Sequence, residues 1–66
     1  MANRLKEMRY KRMLTMSELA RRSGVSRATI WMLETRPDKV TTNKTMDALA
    51  KALDMPVSKI FFTNAG

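Results

Sequence analysis

Histidine and cysteine are both absent from this chain of 66 residues. Their absence excludes disulfides, the usual zinc-ligand sets, and the imidazole and thiol chemistry behind much acid–base and nucleophilic catalysis. The few carboxylates form no paired constellation, so no enzyme, metal or cofactor is expected. Glycine occurs only at Gly24 and Gly66 and proline only at Pro37 and Pro56, so breaks are rare. Little β-branched alternation accompanies them, which points to helices. Apolar runs are only a few residues long, far short of a membrane span. The opening "MANRLKEMRYKR" interrupts each apolar residue with charge, unlike a secretory signal. A soluble, cytoplasmic protein with no membrane partner is the expectation.

Acidic residues are also scarce. Six Asp and Glu face thirteen Lys and Arg, for a formal net charge of +7, and the sequence pI is about 10.6. Such a bias calls for a polyanion, nucleic acid before an acidic membrane surface. At this length roughly 60% of the unfolded chain's surface can be buried, which suits one small domain, residues 1–66, held by efficient hydrophobic packing.

The spacing predicts five short helices. The first runs from about Arg4 to Arg12, with Asn3 as N-cap and Leu5 and Met8 on one face. "TMSE" at Thr15 to Glu18 has the capping-box form, so a second helix starts at Met16 and ends before Gly24. Ser26 caps a third helix from about Arg27 to Glu34. "TRPDKVTT" is a basic loop, Thr42 caps a fourth helix from Asn43 to Leu53, and "DMP" precedes a fifth, Val57 to Phe62. The expected core is Leu5, Met8, Leu14, Leu19, Ala20, Val25, Ile30, Leu33, Met46, Leu49, Ala50, Leu53, Ile60 and Phe61.

At roughly 100° per residue, Ile30 and Leu33 of the third helix share one side. Ala28 then points away from it, flanked by Trp31 and Met32, with Arg27 nearer the boundary and Ser26 and Thr29 at the margins. Two helices joined by a tight glycine turn, the second with a small residue at its outward centre, describe a helix-turn-helix, whose second helix enters the major groove.

Over these residues, "LTMSELARRSGVSRATIWMLE" resembles the helix-turn-helix of the phage repressor and Cro family, also called the Xre type. Leu14, Thr15, Leu19, Ala20, Gly24, Val25, Ser26, Ile30 and Glu34 carry the resemblance. It continues into "LKEMR" and "TMDALAKALDMPVSKIF", and so covers nearly the whole chain. The resemblance implies a compact five-helix, all-α repressor-like domain in a bacterial host cell, binding a double-stranded DNA operator as a homodimer. No ligand-sensing domain or small-molecule effector is evident, as for a Cro-like control protein or an excised N-terminal domain.

The resemblance also implies roles for residues. Arg9 and Glu34 map to a structural ion pair, and Arg9 lies at the edge of the face that Leu5 and Met8 define. Arg27, Ala28, Met32 and Ser26 map to base-reading positions, with Trp31 beside them. Arg27 can hold guanine bidentately, and Ala28 suits a thymine methyl. Trp31 and Met32 extend that apolar readout, close the edge of the core, join a subunit contact, or anchor a protein partner in an antirepressor or antitoxin-like module. Met16 replaces the family's usual glutamine, which leaves the backbone at that helix start and the hydroxyls of Thr15 and Ser17 to hold phosphate. Thr35, Arg36, Lys39, Thr42, Asn43 and Lys44 follow the third helix, in a loop one residue longer than the family pattern, and are further phosphate candidates. Arg21 and Arg22 are read as serving the helix dipole and solubility. Met13 stands where a glycine usually ends the first helix, which leaves the backbone there either left-handed or differently shaped. Met55 and Phe62 are candidates for a symmetric dimer contact, or for core packing.

Overall fold

The computed structural model describes residues 3–36, 38, 39 and 41–61. Five helices follow one another: α1 (Leu5–Lys11), α2 (Met16–Ser23), α3 (Arg27–Thr35), α4 (Asn43–Leu53) and α5 (Val57–Ile60). The fold is all-α, and no described helix is long and apolar enough to cross a membrane. Helix α2 packs on both α3 and α4, while α1 closes on α3 and α5 on α4.

Local chemistry accounts for the boundaries. The Thr15 hydroxyl accepts the Glu18 N–H at 3.1 Å, and the Glu18 carboxylate accepts the Thr15 N–H at 2.8 Å, completing a capping box at the start of α2. Gly24 ends that helix at φ 76°, a left-handed conformation that glycine adopts without a Cβ penalty. Ser26 and Thr42 cap α3 and α4 through the N–H groups of Thr29 and Thr45. Met13 has φ 57°, so the backbone at the end of α1 is left-handed.

The core is a cluster of Leu5, Met8, Leu14, Leu19, Ile30, Leu33, Leu49, Ala50, Leu53, Ile60 and Phe61. Ala20, Val25 and Met46, expected inside, are only half-buried and pack against its edge. The fifth helix is shorter than its apolar pattern suggests. It ends at Ile60 because Phe61 turns extended and pairs with Asn3 in an antiparallel bridge, with the Arg4 N–H donating to the Ile60 carbonyl at 2.7 Å. Asn3 flanks α1 rather than standing next to its first residue. Its side-chain oxygen accepts the Leu5 N–H at 2.9 Å, and its amide donates to the Leu33 carbonyl at 3.0 Å, tying the chain start to α3.

Candidate nucleic-acid interface

Helix α3 is divided cleanly by burial. Ile30 and Leu33 are sealed in the core, at 0% exposure, whereas Arg27 and Ala28 are exposed and Trp31 keeps 55% of its surface accessible. Met32 behaves differently from Trp31: it is half-buried and packs against the core cluster. The exposed face of α3 is therefore Arg27, Ala28 and Trp31, with Met32 at its edge.

The C-terminal end of α3 is held in place by an ion pair. Arg9 Nε donates to Glu34 Oε2 at 2.7 Å and Nη2 to Oε1 at 2.9 Å, while Nη1 reaches the Leu14 carbonyl at 2.9 Å. Both side chains are almost fully buried. The hydrogen bond to Glu34 raises the Arg9 pKa further above its ordinary value, against the opposing effect of burial, so the guanidinium stays charged throughout the working pH range. The pair joins the end of α3 to α1, and no buried side-chain nitrogen or oxygen among the described residues lacks a partner.

At the front, the start of α2 meets the start of α3. Arg27 Nη1 donates to Ser17 Oγ at 3.0 Å, a contact between residues ten apart that only the helix-turn-helix crossing creates. Met16, Arg27, Ala28 and Trp31 line one hollow of about 440 Å³, open to solvent. Lys44 at the start of α4 joins Ser26, Thr29 and Thr45 around a second, of about 260 Å³, so each hollow is lined in part by the first turn of α3 or its cap. Arg36 and Lys39 in the loop and Asn43 on α4 are exposed.

The hydroxyls are less available than residue type suggests. Thr35 Oγ1 donates to the Trp31 carbonyl at 2.8 Å, Ser26 Oγ bonds Thr29 Oγ1 at 2.8 Å, and Thr42 Oγ1 bonds Thr45 Oγ1 at 3.0 Å. A hydroxyl has one hydrogen to donate. To hold a phosphate oxygen, each of these three must therefore release an internal bond. Ser17 Oγ accepts from Arg27 and keeps its own hydrogen, whereas Thr15 Oγ1 accepts the Glu18 N–H and turns its own hydrogen toward the Glu18 carboxylate. At the α2 start the Thr15 N–H is taken by Glu18, which leaves the N–H groups of Met16 and Ser17 facing outward.

Two structural contacts have little sequence signal. Arg12 Nε donates to the Leu53 carbonyl at 2.7 Å and Nη2 to the Asp54 carbonyl at 3.1 Å, so the cation that follows α1 closes the C-terminal end of α4. Asn3 likewise reaches across thirty positions to Leu33. Neither partner lies within a helical repeat of the other, so periodicity is blind to both. Arg21 and Arg22 are exposed in the last turn of α2, and Arg22 shares a groove with Lys44, Asp47 and Lys51. Met55 is half-buried against the core beside Met8 and Pro56, and Phe62 lies outside the described residues.

A family model described as helix-turn-helix matches residues 5–60, from the first residue of α1 to the last of α5. No curated protein matches the chain in sequence.

Proposed function

The chain belongs to the helix-turn-helix family of Cro and CI type, DNA-binding transcription regulators, and we propose that it is a repressor of phage or bacterial type that binds a palindromic operator as a homodimer. The observation that carries this reading is the division of α3: Ile30 and Leu33 wholly inside, Arg27 and Ala28 outside on the first turn. In this reading α3 lies in the major groove, with its N-terminal residues against base edges, and two half-sites stand about 34–36 Å apart, or one helical turn.

Arg27 reads a guanine through O6 and N7, and Ala28 approaches a thymine methyl. Trp31 packs on the methyl edge or the sugars, while Met32 and Ser26 play the lesser part in readout that their packing and internal bonds leave them. The outward N–H groups of Met16 and Ser17, with the hydroxyls of Thr15 and Ser17, receive one phosphate at the α2 start, where the helix dipole favours an anion. Arg36, Lys39, Asn43 and Lys44 follow the backbone beyond, and the net charge of +7 supplies the long-range attraction. One DNA-binding domain then spans the chain, and Met55, with Phe62, contributes to the two-fold contact. Repression follows sterically where the operator overlaps a promoter.

The test is a selection of binding sites from random duplexes, followed by affinity against salt. An inverted repeat and a log affinity that falls by about 0.9 per phosphate neutralised, per unit of log salt, support the proposal. A salt-insensitive protein with no preferred sequence, binding another protein through Trp31 instead, contradicts it.

A further inference from the structure

The hollow at the junction of α2 and α3 has a lining that backbone binding does not require. Met16 forms one wall from the first turn of α2, and Ala28 and Trp31, three apart on α3, form the other. Ala28 and Trp31 are exposed, and Met16, half-buried, rests its inner side on the core, where Leu19, Ile30 and Leu33 are at 0% exposure. On the rim stands Arg27, one of its N–H groups held by Ser17 Oγ at 3.0 Å. The site is thus a small apolar recess with a fixed guanidinium at its edge.

In the major groove of B-DNA nearly every base-edge group is a hydrogen-bond donor or acceptor, and the C5-methyl of thymine is the apolar exception. Cytosine methylated at C5 offers the same group at the same ring position. We propose that the Met16–Ala28–Trp31 recess receives the C5-methyl of a pyrimidine adjacent to the guanine held by Arg27, so that the protein senses that methyl on thymine and on 5-methylcytosine alike. This rests on the DNA-reading function proposed above. The side chains of Met16 and Ala28 carry no donor for thymine O4 and no strong acceptor for the cytosine N4 amino group, so the recess responds to the methyl itself within each base pair. Cytosine methylation at that step thereby becomes a signal that strengthens binding.

The full chain is used to select sites from random duplexes, and each thymine of the selected site is then replaced singly by deoxyuridine. At one position per half-site, next to a guanine, the loss of the methyl is expected to weaken binding about fourfold, the worth of one buried methyl-sized group. At the same position 5-methylcytosine should bind about fourfold better than cytosine. In Met16→Gln, at a half-buried position, and Trp31→Ala, at an exposed one, each ratio should fall toward one while the preference for the guanine held by Arg27 persists. Ratios of one at every position in the unaltered protein, or a selected site with no pyrimidine beside a guanine, overturn the methyl recess and leave the DNA-reading function standing. Ratios that stay fourfold in both variants place the methyl elsewhere and also overturn it. Absence of any sequence-selective binding overturns the underlying function instead.

Discussion

Arg9 and Glu34 meet through two parallel hydrogen bonds, of 2.7 and 2.9 Å, with side chains only 7% and 1% exposed. The pair fixes the C-terminal end of α3 to α1, two turns along the helix from Arg27. Its removal from one side leaves a buried charge uncompensated. Glu34→Ala is therefore expected to cost about 3–5 kcal/mol, read as a lowered midpoint in urea or thermal unfolding. Replacing both partners together with apolar residues of similar size should recover much of that loss. An unchanged midpoint in Glu34→Ala would refute the role.

Met13 is 88% exposed and left-handed, so its side chain gains little packing while its Cβ is strained. Left-handed backbone costs an L-residue about 1–2 kcal/mol, and glycine returns about half of that gain through its freer unfolded chain. Met13→Gly should accordingly stabilise the protein by about 0.5–1 kcal/mol. The midpoint of chemical denaturation measures it, and destabilisation would show that the Met13 side chain has a partner.

The capping box of α2 makes stability depend on acid. The Thr15 backbone N–H, and then the Thr15 hydroxyl, hold the Glu18 carboxyl below its ordinary 4.5. A group that binds its proton less readily when folded contributes fully above its unfolded value, and that contribution disappears as the pH falls through the folded value. Stability measured from pH 7 downward should therefore fall below about pH 4.5. Glu18→Gln should be less stable at neutral pH and flatter in acid, converging on the parent at low pH. Parallel curves for the two proteins would contradict this.

Readout and backbone attachment separate by mutation. Arg27→Ala should lose about 1–3 kcal/mol of discrimination at one base position, whereas Lys44→Ala should weaken all sequences alike and reduce the salt slope by about one. Equal, sequence-blind losses in both would contradict the roles assigned to them.

The helices were legible where local chemistry sets them: the capping box at Thr15 and Glu18, the left-handed Gly24, and the caps at Ser26 and Thr42 all lie within a few residues of the groups they satisfy. The inward side of α3 was legible for the same reason, since Ile30 and Leu33 share a face by helical period alone. Phe61 was misread as helical because its apolar character fits either a last turn or an extended pair, and the deciding partner, Asn3, lies at the other end of the chain. The two backbone states left open for Met13 are resolved only by its φ of 57°. At the interface, residue type marked Arg27 and Ala28, yet the bond from Arg27 to Ser17 and the recess beside it arise from the crossing of two helices. The internal bonds of Ser26, Thr35 and Thr42 were likewise invisible to a reading that counts hydroxyls by type.

Operator recognition turns on α3 entering the major groove with Arg27 against guanine, and interference by methylation at guanine N7 tests that contact at the atom concerned. A selected duplex should show strong interference at one guanine in each half-site, and that interference should vanish in Arg27→Ala while interference elsewhere is kept. No interference at any guanine N7, or a pattern identical in the two proteins, would contradict it.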